Sequence, residues 1–264
     1  MYALVFAAGL GTRLRPLTDT MPKALVPLAG KTLLEYQILK LKAAGITDII
    51  VNVHHFPDMI IDYLRAHDNF GCNIMISDER DRLLDTGGGL LKAWSTFASE
   101  SQEPFLALNV DILSTIRIED VLAAYKSFQF SPFNFQFLGL LVVSSRQTQR
   151  YLCFDDTDRL IGWTNIATGE TKPASFNKSQ STSHKSQIKH LAFSGMQLLS
   201  PAVLPLLSTY NATRSTPSFS VIDFYLWFVE HNAGSLYAFP HDAPMMDVGK
   251  IDHLSEAEAF AQTL

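Results

Sequence analysis

The chain has 264 residues, 47% of them hydrophobic and 18% charged, with a formal net charge of -5. That length suits one large domain, or one domain with an annex, whose core needs no covalent staples. The acidic balance excludes a basic field for nucleic acid or anionic membrane, and the two cysteines, Cys72 and Cys153, form neither a disulfide framework nor a C-x-x-C centre. The apolar opening is broken by Gly9, Gly11 and Arg13 too early for a signal or membrane-spanning segment, so a cytoplasmic protein with reduced thiols is expected.

Tyr2 to Ala8 is a short apolar run bounded by glycine, as a buried parallel strand would be. Gly9-Leu10-Gly11-Thr12-Arg13 follows it, and then Pro22-Lys23. Residues 33–44 carry Leu34, Ile38 and Leu41 at helical spacing, with Gly45 as the stop. The β-branched run 48–53 reads as a strand. Pro57 opens a helix whose apolar face is Met59, Ile60, Tyr63 and Leu64. Residues 73–77 read as the next strand. Thr86-Gly87-Gly88-Gly89 leads into a helix over 90–97, the strand 105–109 ends at Asp111, and 118–128 is helical. This alternation predicts a parallel sheet covered on both faces. Ligands of such sheets bind beyond the carboxyl ends of the strands, so the loop at Gly9 and the carboxylate of Asp111 are expected in one crevice.

The second half differs. Residues 135–143 form a long apolar strand, and 151–154 with 159–163 flank Asp155-Asp156-Thr157-Asp158 as a hairpin. Residues 174–189 are polar and read as a mobile surface loop. A strand at 190–199, helices at 201–207 and 221–231, a strand at 235–239 and a terminal amphipathic helix at 251–262 complete the pattern. No internal repeat is visible. His54 and His55 read as structural, and Phe128, Phe130, Phe133, Phe135 and Phe137 as core.

The chemistry concentrates in the first loop. Small residues at a strand's exit let backbone N–H groups approach phosphate closely. Arg13 adds a planar fork and Lys23 a point charge, which suits a nucleoside triphosphate. The dinucleotide fingerprint fails because Leu14 occupies the place of its third glycine. The P-loop fails because Lys23 stands between Pro22 and Ala24. What remains, G-x-G-T-R followed by P-K, resembles the signature of the sugar-1-phosphate nucleotidyltransferases, the nucleotide-sugar pyrophosphorylases. The likeness covers essentially the whole chain and is strongest from Met1 to Asp111.

That resemblance implies an α/β, three-layer, Rossmann-like fold with a mostly parallel central sheet and a small sugar-binding annex. It implies a single domain over 1–264, with nucleotide bound by 1–130 and sugar by 131–264. The implied reaction moves a nucleotidyl group from a nucleoside triphosphate to a sugar 1-phosphate and releases pyrophosphate, with Mg²⁺ as cofactor. By the same resemblance, Ala8, Gly9, Gly11, Thr12, Arg13, Lys23, Thr86, Gly87, Gly88 and Asn109 contact the nucleotide, and Arg13 and Lys23 act on the phosphates. Asp111 and the late Asp247-Val248-Gly249 element supply the metal carboxylates. Val110, and Lys250-Ile251 where the family has Thr-Pro, depart from the pattern.

Phe193-Ser194-Gly195-Met196 resembles a family strand whose glycine lies along the sugar, and Asn165 and Glu170, with Trp163, are further sugar candidates. Lys172-Pro173 only approximates the family's E-K-P element. In compact length, the D-T-G-G-G element and Phe-Ser-Gly the chain most resembles the short bacterial N-acetylmuramate-1-phosphate uridylyltransferases, which implies UTP as donor and a place in peptidoglycan sugar recycling. Mannose-1-phosphate guanylyltransferases and glucose-1-phosphate thymidylyltransferases share the signature. A catalytically silent nucleotide-sugar sensor is the alternative of another class, against which Arg13, Lys23, Asp111 and Asp247 argue. N-acetylmuramate carries a carboxylate, which favours a cation beside the sugar; Lys189, His190, Arg146 and Arg150 are unranked candidates. Oligomeric state is open.

Overall fold

The computed structural model describes residues 1–129, 137–176, 188–231 and 233–264. The chain opens with β1 (Tyr2–Phe6) and three single 3-10 turns, Thr12–Leu14, Leu17–Asp19 and Lys23–Leu25. A small ribbon, β2 (Pro27–Leu28) and β3 (Lys31–Thr32), turns it into α1 (Leu33–Ala43). Thr32 caps that helix: its Oγ1 accepts the N–H of Glu35 at 3.1 Å. Then come β4 (Asp48–Val53), α2 (Pro57–Ala66), β5 (Asn73–Asp78), α3 (Asp85–Phe97), β6 (Phe105–Asn109), β7 (Ile112–Ser114) and α4 (Ile118–Gln129). The second half holds β8 (Phe137–Ser144), β9 (Arg150–Phe154), β10 (Leu160–Asn165), β11 (Glu170–Lys172) and β12 (Lys189–Leu199). It closes with α5 (Val203–Ala212), α6 (Val221–His231), β13 (Ser235–Pro240), β14 (Met245–Asp247) and α7 (Leu254–Ala261).

β5, β4, β1 and β6 lie side by side and parallel. β12 joins β6 antiparallel, β8 joins β12 antiparallel, and β13 runs parallel to β8. The first residues of β12 leave this sheet and carry an antiparallel extension, β9, β10 and β11. Successive strand residues face opposite sides, and both sides here are apolar. Ala3, Val5, Ile49 and Val51 pack with Ile38 and Leu41 of α1 and Val121 of α4. Leu4 and Ile50 face the other way, into a core with Trp94 of α3, Leu207 of α5 and Phe224 of α6. Continuous apolar strands therefore demand helices on both faces, and three layers result. Trp94 stacks on Phe105 with ring centroids 4.5 Å apart.

Several expectations shift. Gly87, Gly88 and Gly89 lie inside the first turns of α3 rather than ahead of it. The helix expected at 201–207 runs Val203–Ala212, and the terminal helix is preceded by a 3-10 turn, Ile251–His253. Of the polar stretch 174–189, residues 177–187 lie outside the described part; 174–176 form a helical turn that buries Phe176, and Lys189 already belongs to β12. Phe130, Phe133 and Phe135 also lie outside it, while Phe128 stacks on Phe137 at 5.6 Å, in the core as expected. Among the described residues no helix is long and apolar enough to cross a membrane.

Candidate active site

A cleft of about 540 Å³ opens beyond the carboxyl ends of β1 and β6. Ala8, Gly9, Gly11, Thr12, Arg13, Lys23, Thr86, Asn109 and Asp111 line it together, though they come from four separate stretches of chain. The parallel pairing of β1 with β6 brings the first loop beside Asp111, and the N–H of Val110 closes the join by donating to the carbonyl of Phe6 at 3.2 Å.

The loop's shape has identifiable supports. Gly11 sits at φ +63, and a Cβ there would lie 2.8 Å from Thr18 Cγ2 and 3.0 Å from Lys23 Cβ, so only glycine fits. Thr18 Oγ1 donates to the Gly11 carbonyl at 2.8 Å. Asn52, buried at the end of β4, accepts the N–H groups of Ala7 and Ala8 on its Oδ1 at 2.7 and 3.2 Å. Its Nδ2 donates to Glu79 Oε1 at 2.8 Å, and Glu79 Oε2 accepts the N–H of Leu84 at 3.0 Å. Glu79 is 1% exposed, and burial raises its pKa above the usual carboxylate value. The N–H groups of Gly9, Leu10 and Gly11 have no acceptor among the described residues, so the loop offers unspent donors to an anion.

Lys23 is buried at the cleft's edge and ion-paired to Asp111 Oδ2. Asp247 reaches the same region by another route. β14 pairs antiparallel with β7, setting Asp247 opposite Ile112, and the N–H of Val248 donates to the Asp111 carbonyl at 2.9 Å. A Cβ built on Gly249 would lie 2.6 Å from Asp247 Oδ1 and 3.0 Å from Arg13 Nη2. Gly249 is thus the small residue that lets the Arg13 guanidinium and the Asp247 carboxylate flank one point of the rim. Among the described residues no group of three or more His, Cys, Asp or Glu side chains is placed to hold a metal ion. Two hard carboxylates at a rim fit instead a cation that keeps waters and phosphate oxygens as its other ligands.

The other candidates are distributed as follows. Gly87 and Gly88 pack on segment 217–219: a Cβ on Gly87 would meet the Phe219 ring at 2.3 Å, and one on Gly88 the Pro217 carbonyl at 2.2 Å. The Gly87 N–H is taken by the Phe219 carbonyl at 2.8 Å, while Thr86 Oγ1 accepts from the N–H of Val221 at 3.0 Å. Gly195, at φ +70 in the bulge of β12, lies against Ile112 and Asn109. Asn165 and Glu170 face each other across the β10–β11 hairpin; Asn165 Oδ1 accepts the N–H of Ala167 at 3.0 Å, closing its own turn. Trp163 and Lys172, from the same strands, line a second cavity of about 330 Å³. His54 and His55 each bond a backbone carbonyl, of Glu79 at 2.7 Å and of Thr18 at 3.1 Å. Cys72 and Cys153 are free thiols, the latter pushed up to about 12 by burial.

The sequence reading missed Asn52, Glu79 and Ser218, all in the cleft wall; Asp85, part of the D-T-G-G-G element, lines the same wall. Asn52 carried a usable signal, a lone amide inside the apolar run Asp48–Val53. Burying such a group demands partners.

This sheet and this loop, with Asp111 at the end of β6, point to one class. The nucleotidyl transferase family model matches residues 2–263, and the chain belongs to that family. An N-acetylmuramate alpha-1-phosphate uridylyltransferase of Caulobacter vibrioides is 46% identical over 111 residues, 41% of this chain and 45% of that protein. One from Neisseria meningitidis is 39% identical over 132 residues, 50% of this chain and 54% of its own. A mannose-1-phosphate guanyltransferase of Gibberella zeae is 41% identical over 128 residues, 48% of this chain and 35% of its own. The matched region thus spans about half or less of each of these curated relatives. Among solved structures, a UDP-glucose pyrophosphorylase complexed with UDP-glucose superposes with a TM-score of 0.73 over 100% of this chain and 99% of that one, at 17% identity. HddC from Yersinia pseudotuberculosis gives 0.69 over 98% and 99%, at 20% identity. At such identities the superpositions establish the fold.

Proposed function

We propose that this protein joins a nucleoside triphosphate to a sugar 1-phosphate, releasing pyrophosphate, and that UTP and N-acetylmuramate 1-phosphate are the pair it uses. The observation that carries the reading is the meeting of the Gly9–Arg13 loop, Lys23 and Asp111 in one cleft, with Asp247 beside it. A phosphate oxygen of the sugar attacks the α-phosphorus, and the bond to the pyrophosphate oxygen breaks. The attacking dianion needs no general base. The obstacle is repulsion between two polyanions, so positioned positive charge and N–H donors supply the acceleration.

The loop N–H groups and Arg13 hold the triphosphate, and Lys23 stands at the reacting centre. In the arrangement described, Lys23 is held by Asp111. When a substrate phosphate arrives, Lys23 exchanges that carboxylate for a phosphate oxygen, and Asp111 is released. Asp111 and Asp247 would then hold Mg²⁺, which offsets phosphate charge when bound. The base and ribose lie along Thr86 and Asn109, over the wall that Asn52 and Glu79 support. A single domain, with sugar read by the second half, and a cytoplasmic setting belong to the same proposal.

A matrix of four nucleoside triphosphates against several sugar 1-phosphates, scored by pyrophosphate release with Mg²⁺, tests it. Turnover confined to UTP with N-acetylmuramate 1-phosphate is expected. Turnover of GTP with mannose 1-phosphate, and none with UTP, would replace the substrate assignment; silence across the matrix would favour a sensor.

A further inference from the structure

The cavity of about 330 Å³ beyond β9 and β10 is unlike the rest of this acidic chain. Arg146, Arg150 and Lys172 face it, with Asp223 as the one acid, and Trp163 and Phe193 supply aromatic walls. The three cations are not equivalent. Lys172 is already neutralised, with its Nζ 3.4 Å from Glu170 Oε1 and 3.7 Å from Asp223 Oδ1, above the Trp163 ring. Arg146 donates to the Phe193 carbonyl at 3.0 Å, which orients its fork but leaves its charge unmatched. Neither Arg146 nor Arg150 has a carboxylate within ion-pair distance among the described residues. Lys189, by contrast, is paired to Asp158 at 2.8 Å, and His190 stands beside Tyr151.

This cavity shares a wall with the nucleotide cleft. Ser218 lines one and Ser220 the other, with Phe219 buried between them. Phe193 directly precedes the Ser194–Gly195 bulge, and Gly195 abuts Ile112, the neighbour of Asp111. Phe193 and Gly195 thus connect the residues beside Asp111 to the cavity that the two arginines face.

We infer that this cavity is the subsite for a carboxylate carried on the sugar, read by Arg146 and Arg150 with Trp163 against the ring. The inference rests on the reading of the active cleft given above. A guanidinium fork matches a carboxylate through two parallel hydrogen bonds, which ammonium groups cannot do, and an aromatic face beside a few placed polar groups is the ordinary make-up of a small-molecule site. The two arginines are specificity-determining residues, remote from the reacting phosphorus.

The test pairs two readouts. Calorimetric titration with N-acetylmuramate and with N-acetylglucosamine, which lacks the lactyl carboxylate, reads the subsite without any turnover. Saturable binding of the first and at least tenfold weaker binding of the second is expected, a preference lost in Arg150→Ala and weakened in Arg146→Ala. Pyrophosphate release from the two corresponding 1-phosphates with UTP reads the reaction, and the kcat/KM ratio between them should fall by on the order of tenfold or more in Arg150→Ala, with KM for UTP little moved. Equal affinity for the two sugars, or variants that lose both sugars alike, would overturn the inference. Selective binding without turnover would retain the subsite and overturn the assigned reaction. Arg150→Lys separates fork from charge: it should keep less than half of the preference.

Discussion

Lys23 and Asp111 are 88 residues apart in sequence and form an ion pair at the edge of the cleft, with side chains 9% and 21% exposed. The pair sits where triphosphate, sugar phosphate and cation are proposed to meet, so each member has an alternative partner once substrate is bound. Lys23→Ala is expected to lower kcat by on the order of 10²-fold, the scale of one lost electrostatic stabiliser, and Asp111→Asn by a similar factor. Lys23→Ala also strands a largely buried carboxylate, at a stability cost of about 1–3 kcal/mol. Pyrophosphate-release kinetics with melting curves separate the two effects; normal turnover in either variant removes that residue from the chemistry.

Asp247 depends on β14 lying against β7. If it shares the cation with Asp111, Asp247→Asn should raise the Mg²⁺ concentration needed for half-maximal rate by roughly tenfold, the loss typical of weakened metal coordination. Activity should vanish in excess chelator and return with Mg²⁺. An unchanged Mg²⁺ titration in the variant would assign Asp247 to the β7–β14 ribbon alone.

Asn52 holds two loop N–H groups and is itself held by Glu79. Asn52→Ala leaves the donors of Ala7 and Ala8 and a buried carboxylate oxygen with fewer partners, at about 1–3 kcal/mol for an unsatisfied group. A melting temperature lower by roughly 2–4 °C per kcal/mol follows for a chain of this size. KM for the triphosphate should rise more than kcat falls, because the loop's donors are disordered before the reacting atoms are. A variant with wild-type KM and melting temperature would show that the loop keeps its shape unaided.

Gly195 lies in the left-handed region at φ +70, and a Cβ there would stand 2.9 Å from Ile112 Cγ1 and 3.1 Å from Asn109 Nδ2. Gly195→Ala combines backbone strain of about 1 kcal/mol with a displacement of β7. Sugar 1-phosphate turnover should drop well beyond what the stability change explains. Kinetics at a temperature far below the melting point reads this directly, and a fully active variant would show that the bulge has no part in placing Asp111.

Lys40 is a pH probe built into the support of β7. Its Nζ donates to Ser114 O at 2.7 Å and to Ser114 Oγ at 2.6 Å, and burial lowers its pKa from 10.5 to about 8. Between those values the unfolded chain still binds a proton that the folded one has released, so this group makes stability rise with pH from about 8 to 10.5 and contributes no slope well below 8. Denaturant unfolding of Lys40→Met across that window should show a smaller rise, or a steeper fall, than wild type. Identical pH profiles would refute the linkage.

The early loop, the order of the longer strands and helices through Asp111, and the apolar runs that require helices on both faces were legible in the chain; the two-residue strands β2 and β3 were not. Their signals are local: glycine spacing, period-two and period-3.6 patterning, helix caps. Strand β6 (Phe105–Asn109) and helix α6 (Val221–His231) have the bounds that pattern alone assigned. Asn165 and Glu170 show the limit. Their residue types suit sugar contact, yet pairing across the β10–β11 hairpin sets them at its turn, while Trp163 and Lys172, two residues along each strand, reach the cavity.

From the residues alone follow the family signature, the layered α/β plan and the identity of the charged groups, because each is written in contiguous or periodic sequence. Four things waited for the folded chain: that Lys23 spends its charge on Asp111, that a two-strand ribbon sets Asp247 opposite Ile112, that Asn52 and Glu79 brace the loop after β1, and that Arg146 and Arg150 rather than Lys189 keep unmatched charge among the described residues. These are pairings between segments remote in sequence. Side-chain charge and hydrogen-bonding capacity are known from composition, but which partner consumes them depends on strand register and packing, and those exist only in three dimensions.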